Sequence, residues 1–362
     1  MINSYPFLQL DEVKVRNNIK KMAAKASGSG IKFRPHFKTH QSLEIGNWFR
    51  EFPIDGITVS SLKMAKYFAS DGWKSITVAF PFNILEIDEL NELASGIDLR
   101  VLVVDSRSVK ELDQSLTADV SVYIEIDPGY RRSGIHLNDT EQIDKLISAV
   151  NNAEKLTLHG FYSHAGHSYK CRSTSDLIEF SKSITDSLSM LKNKYDLPIC
   201  FGDTPSCSVL KNFGGIDELS PGNFVFYDWI QTQIGSCDPE DIAIAMKCPV
   251  VAKYPSRNEL LIHGGAVHFS KDYDLLKNRE AYFGQVVENS VANWGKPVRE
   301  CYLKSISQEH GIVKCSDDFF NDTETGDIIT ILPIHSCLTA DLMGSYLTTD
   351  NVKITHLSEK RI

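Results

Sequence analysis

Between residues 10 and 220, short β-branched runs alternate with longer stretches whose apolar residues recur every three or four positions. The runs are "IKFRP" from 31, "GITVS" from 56, "SITVAF" from 75 and "LRVLVVD" from 99. They continue with "VSVYIEID" from 120, "LTLHGFYS" from 156, "PICFG" from 198 and "GIDELS" from 215. Segments between them, such as "SLKMAKYFAS", "TEQIDKLISAV" and "DLIEFSKSITDSLSMLKNKY", carry one apolar face, as amphipathic helices do. Strand, helix, strand in repetition predicts a parallel sheet. Eight strand segments are the number that closes a (β/α)8 barrel, with a doubly wound open sheet as the alternative. After residue 240 the texture changes. "DIAIAMKCPVVAKY", "NELLIHGG", "AYFGQVVEN", "CYLKSISQEHGIVKC" and "DIITILPIHSCLTADL" follow one another with short turns and almost no helical period. The expected class is α/β: a (β/α)8 barrel over residues 10–240, then a mainly antiparallel β domain over 241–362, with residues 1–9 able to pack with the latter.

Composition narrows the function. The chain has 362 residues, 42% hydrophobic and 23% charged, an ordinary globular profile. A net charge of -9 argues against a nucleic-acid partner, whose footprint would be basic. No uncharged apolar run reaches the length that spans a bilayer, and the start, "MINSYPFLQLDEVKV", has no basic region followed by an apolar one. Eight cysteines lie scattered without a CxxC pair, which fits reduced thiols and a cytoplasmic location.

The chemistry gathers where barrel strands end. Lys38, in "FRPHFKTHQ", sits among cationic and aromatic neighbours that disfavour its ammonium form, and a neutral lysine serves as a Schiff-base nucleophile or a base. A basic loop that binds phosphate is the plainer reading of these nine residues. Barrel enzymes place their chemistry at the carboxyl ends of strands and phosphate sites after strands seven and eight. "GDTPSCS", with Gly202, Thr204 and Ser206, and "SPGNFVFYD", with Gly222 and Asn223, fall there. Both offer hydroxyl and backbone donors for an anion, although each alone is also an ordinary turn. Tyr162 and His164 end strand six and are placed to flank a flat ring, with Tyr169 nearby to hold cofactor or substrate. Singly, each equally fits a packed aromatic or a hydrogen-bonded histidine. Lysine, phosphate donors and flat surfaces together point to pyridoxal 5'-phosphate. In "PIHSCLTADL", His335 and Cys337 would face the same way in extended backbone, and imidazole with thiolate suits Zn2+ or another divalent metal. Two ligands leave positions open for water or substrate, which is the catalytic pattern.

"RPHFKTH", "GFYSHAGHSY", "GDTPS", "PGNFVFYD", "HGGAVHFSKD", "QEHG" and "PIHSC" occur in this order. Taken together they resemble the D-serine dehydratase and D-threonine aldolase family, alanine racemase-like enzymes of the fold-type III architecture. The resemblance implies a (β/α)8 barrel followed by a β domain, and a homodimer whose subunits complete each other's active site. It implies that Lys38 is the Schiff-base lysine, and that Tyr162, Tyr169, Thr204, Gly222 and Asn223 contact the cofactor. It likewise makes His335 and Cys337 the metal pair, in the HxC form of zinc-dependent D-serine dehydratases rather than the HxD form more usual in aldolases. One departure is Ser220, where relatives commonly carry a basic residue before the PGN turn. The implied activity is a lyase on small 3-hydroxy-D-amino acids, D-serine to pyruvate and ammonia. Retro-aldol cleavage to glycine and an aldehyde, or racemisation, would use many of the same parts. A non-enzymatic pyridoxal-phosphate carrier would have no use for the second domain.

Overall fold

Each of the eight anticipated runs forms a strand. They are β1 (Lys32–Phe33), β2 (Ile57–Val59), β3 (Ser75–Pro81), β4 (Asp98–Val103), β5 (Val120–Asp127), β6 (Leu156–Ser163), β7 (Ile199–Phe201) and β8 (Glu218–Leu219). In this computed structural model, which describes residues 5–290 and 293–358, neighbouring strands pair in parallel in the order β1-β8-β7-β6-β5-β4-β3-β2. The ring closes just past β1: His36 bridges Thr58 in parallel, and the Phe37 N–H donates to the Thr58 carbonyl at 2.8 Å. Closure leaves no free edge among these strands. The intervening helices start where side-chain caps fall. Ser61 caps Leu62–Ser70, Asp139 caps Thr140–Asn151 and Ser173 caps Thr174–Tyr195, each accepting a hydrogen bond from a backbone N–H of the first turn.

The chain folds into two compact units. One comprises Lys20–Lys38 and Phe49–Gly222 and contains the parallel barrel; the other takes residues up to Ile19, Thr39–Trp48 and everything from Asn223 onward. The two units thus divide the chain at Lys38/Thr39 and Gly222/Asn223, inside two of the motifs singled out above. Residues 223–240 and 39–48, placed with the barrel by a boundary at 240, belong to the second unit.

That second unit is built on β9 (Ile244–Tyr254), β10 (Glu259–His263), β11 (Gly284–Asn289), β12 (Trp294–Ile306), β13 (His310–Lys314) and β14 (Ile328–Pro333). They pair antiparallel in the order β10-β13-β12-β11-β14-β9, and β9 returns to β10 to close the ring. The N-terminal strand Phe7–Leu10 extends the sheet from β9, antiparallel to it and parallel to Ser345–Thr348. Two glycine motifs let backbones approach within this unit. A Cβ at Gly265 would lie 2.4 Å from the Ser307 carbonyl, and one at Gly311 would lie 2.5 Å from that of Gly264. Only glycine fits such contacts, which accounts for "HGG" and "EHG".

Candidate active site

Lys38 stands half-buried beyond β1. Its N–H meets Nδ1 of His36 at 3.3 Å, while Phe37 is packed against Phe49, Phe68 and Trp73 at centroid distances of 4.8, 5.0 and 5.3 Å. The aromatic setting expected for this segment is therefore built mainly around Phe37. His164 follows β6, and its Nδ1 pairs with the Gly202 carbonyl, so Nδ1 carries the proton and Nε2 is the open acceptor. Burial first, then the positive charges of Lys38 and Arg132, hold His164 down to about 3, so this imidazole is neutral at physiological pH.

Tyr162 is buried inside the barrel, edge-on to Tyr123 at 6.1 Å, with its hydroxyl 3.5 Å from Ser220 Oγ. Ser220 donates to Thr58 Oγ1 at 2.9 Å, and Thr58 donates to the Arg34 carbonyl at 3.1 Å. The position flagged before the PGN turn is thus a neutral hydroxyl relay. Thr204 opens the short helix Thr204–Val209, whose cap Asp203 takes the Ser206 N–H at 2.8 Å. Ser206 Oγ accepts from Ser181 at 2.9 Å, which fixes the hydroxyl at the start of this helix. Tyr169 lies half-buried in the turn Gly166–Lys170. A half-buried lysine beside a neutral imidazole, with hydroxyls from Thr204 and Ser220, is a donor set whose chemistry fits pyridoxal phosphate.

The imidazole–thiol pair belongs to the second unit, and there the expected backbone is wrong in detail. Strand β14 stops at Pro333; His335 caps the helix Ser336–Met343, and Cys337 sits in its first turn. The helix begins here because buried Asp228 takes the Ser336 N–H at 3.0 Å, a contact from 108 residues away that no local pattern encodes. His335 and Cys337 nevertheless meet, side chain to side chain. Burial alone would push the Cys337 thiol up, but the hydrogen bond and charge of His335 outweigh it and hold the thiol below its ordinary range. For His335, burial is likewise outweighed, by hydrogen bonds to Asp272 and Cys337, and its proton affinity rises well above normal.

Asp272 Oδ2 lies 2.7 Å from His335 Nδ1 and so directs Nε2 away from itself. Thr39 Oγ1 is 3.3 Å from Cys337 Sγ. The Asn223 amide nitrogen reaches Asp228 at 2.7 Å, Ser336 at 2.9 Å and the Cys337 sulfur at 3.5 Å. The buried Asn223 Oδ1 has no protein partner, an acceptor suited to a proton of water or substrate beside the pair. A carboxylate-backed imidazole and a thiolate fit a zinc ion. Asp272 and Asp228 went unassigned in the sequence, although each closes a quoted motif, "HGGAVHFSKD" and "PGNFVFYD".

A further group of metal-type ligands, His263, His268 and Glu309, converges within 4.8 Å. The Gly265 N–H donates to His268 Nδ1 at 3.1 Å, so the neutral ring carries its proton on Nε2, the nitrogen 3.7 Å from Glu309. A cation would have to displace that proton, and the cluster is better suited to hydrogen bonding than to metal.

Family comparison agrees with this architecture. The "Alanine racemase, N-terminal domain" profile matches residues 10–226, and that of the "Putative serine dehydratase domain" matches 243–349. The chain is 32% identical to the D-serine dehydratase of Dictyostelium discoideum, covering 97% of this chain and 94% of that protein. It is 26% identical to the D-threo-3-hydroxyaspartate dehydratase of Delftia sp. HT23, covering 94% and 93%. The solved structure of the Delftia enzyme superposes with a TM-score of 0.88 at 24% identity over 98% of both chains. The D-threonine aldolase of Filomicrobium marinum gives 0.82 at 19% identity over 98% of this chain and 95% of that one. The chain belongs to the D-serine dehydratase family of alanine racemase-like proteins.

Proposed function

We propose that this protein is a pyridoxal-phosphate-dependent lyase acting on small 3-hydroxy-D-amino acids, in the first instance a D-serine dehydratase. The observation that carries the reading is the His335–Cys337 pair, held by Asp272, on which no third ligand-type side chain converges among the described residues. A racemase has no need of a metal with open positions, whereas departure of a β-hydroxyl does. Pyridoxal phosphate supplies an electron sink for a carbanion at Cα, and zinc supplies a Lewis acid for the hydroxyl.

The chain's own residues do the remaining work. Lys38 would hold the cofactor, and its Nζ amine would serve as the base that takes the Cα proton. The electron pair left at Cα forms the Cα–Cβ double bond and expels the hydroxyl. The released enamine hydrolyses in water to a keto acid and ammonia. Thr204, Gly222 and Asn223 anchor the phosphate side, and Tyr162, His164 and Tyr169 bound the ring. Asp272 holds Nδ1 of His335, which leaves Nε2 as the nitrogen that would ligate the metal once its proton is displaced. The working form in this proposal is a homodimer.

Incubation with D-serine, D-threonine and 3-hydroxy-D-aspartate, assaying keto acid, ammonia and aldehyde side by side, tests the reading. Equal yields of pyruvate and ammonia from D-serine are expected. Glycine plus aldehyde would make it an aldolase, and inverted substrate alone a racemase.

A further inference from the structure

Cysteines scattered along the sequence suggest inert core thiols, yet two of the eight are brought face to face. Strands β12 and β13 pair antiparallel with Tyr302 opposite Lys314 and Leu303 opposite Val313. Continuing that register by one position sets Cys301 opposite Cys315. Side chains alternate along a strand, so Cys301 shares the face of fully buried Leu303, and Cys315 that of fully buried Val313. Both thiols therefore point into the core of this unit, and they hydrogen-bond to each other. Directly opposed residues of an antiparallel pair have Cα atoms roughly 4.5–5.5 Å apart, within the span a disulfide bridges.

The two sulfurs are not equivalent. Cys301 Sγ receives the Ser316 N–H at 3.2 Å and lies 3.5 Å from the Ser316 hydroxyl. Cys315 Sγ instead lies 3.8 Å from the Val313 carbonyl, and its single S–H can turn to that oxygen or to Cys301. Donors converging on one sulfur favour its anion, and the hydrogen bond from Cys315 is the largest influence pulling Cys301 below the ordinary thiol range. The same bond pushes Cys315 up, so Cys301 is the sulfur that gives up its proton first.

We propose that Cys301 and Cys315 form a dithiol that a small hydroperoxide oxidises to a disulfide across the β12–β13 hairpin. The Cys301 thiolate attacks the peroxide; an S–O bond forms, the O–O bond breaks and hydroxide leaves. The Cys315 sulfur then attacks the Cys301 sulfenic acid, forming the S–S bond and breaking the S–O bond, and the oxygen departs as water with the thiol proton. Two thiols lose two electrons and one hydrogen peroxide becomes two waters. Enclosure selects a water-sized oxidant over a bulky disulfide, since Cys301 is fully buried and Cys315 is 3% exposed.

The test uses the full chain loaded with pyridoxal phosphate and zinc. It is exposed to graded hydrogen peroxide, its free thiols are blocked, and it is then reduced and relabelled for peptide mapping. Relabelling should appear at Cys301 and Cys315 together, with an intact mass lower by about 2 Da that dithiothreitol restores. In Cys315→Ala, dimedone should trap a sulfenic acid at Cys301; in Cys301→Ala, oxidation at Cys315 should slow by about tenfold or more. If both thiols stay unmodified at doses that oxidise half-buried Cys171, or if either bridges to another cysteine, the proposal is overturned.

Discussion

Lys38 owes its position to its neighbours. Phe37 is locked in an aromatic cluster, and the backbone of the segment is fixed by the bridge of His36 to Thr58, so the stretch that carries Lys38 is held in place on both counts. Borohydride reduction of the cofactor-loaded protein should therefore label Lys38. Lys38→Ala should abolish turnover while keeping some cofactor, because the phosphate side has its own donors; a label on another lysine would undo the assignment. Asp272 makes a second case. Its carboxylate fixes the ring of His335 from outside the ligand pair, and such partners are worth roughly 10–100-fold in metal affinity. Asp272→Asn should weaken zinc binding by about that factor in a chelator competition, with Lys38 labelling unchanged; unaltered zinc affinity would remove Asp272 from the site. That His335 and Cys337 come together was legible because an imidazole and a thiol two residues apart are distinctive. Asp272 was not, because a carboxylate 63 residues from its histidine carries no local mark.

At the scale of the element, strands of the barrel were readable because they are short apolar runs set between amphipathic helices, several of which open on a side-chain cap. The stretch around Cys337 was misread as extended because its helix starts on a side chain from elsewhere, Asp228, rather than on its own sequence. Long-range polar contacts also decide what no hydrophobic pattern shows inside the barrel. Arg34, 1% exposed, pairs with Glu218 at 2.8 Å, and Tyr123 donates to the other Glu218 oxygen at 2.6 Å. Burial would raise the Glu218 carboxyl, but Arg34 and Tyr123 outweigh it and hold it below its ordinary range. Glu218→Gln strands a buried guanidinium, so urea titration at neutral pH should show a loss of about 3–5 kcal/mol. The sign of the pH dependence follows from the depressed folded value. The stabilisation is present above the ordinary glutamate range, near about 4.3, and is lost as pH falls through the lower folded one. The gap between wild type and variant should therefore narrow only in acid; a gap of constant size would show that the charge is not its source.

For the whole molecule, the assigned chemistry divides between the two compact units. Lys38, His164 and Thr204 belong to the barrel unit, whereas Asp272, His335 and Cys337 belong to the other. A linear reading with one boundary at 240 allowed residues 1–9 to pack with the β unit but missed the return of residues 10–19 and of Thr39–Trp48. Those segments are placed by partners remote in sequence, such as the pairing of Phe7 with Lys247 and the hydrogen bond of Tyr346 to the His40 carbonyl at 2.7 Å. Because the lysine and the metal pair are held by separate sets of hydrogen bonds, withdrawing the metal should disable one function and spare the other. Chelation, or Cys337→Ala, should leave the visible absorbance of the lysine-bound cofactor and its response to D-serine intact. Exchange of the Cα proton with deuterated solvent should continue, since it needs the Lys38 amine and the ring. Release of pyruvate should fall steeply, because the hydroxyl then departs without a Lewis acid, and added zinc should restore it in the chelated wild type but not in Cys337→Ala. Metal-free protein that eliminates at the full rate would show that His335 and Cys337 take no part in the bond-breaking step, and would move racemisation ahead of dehydration.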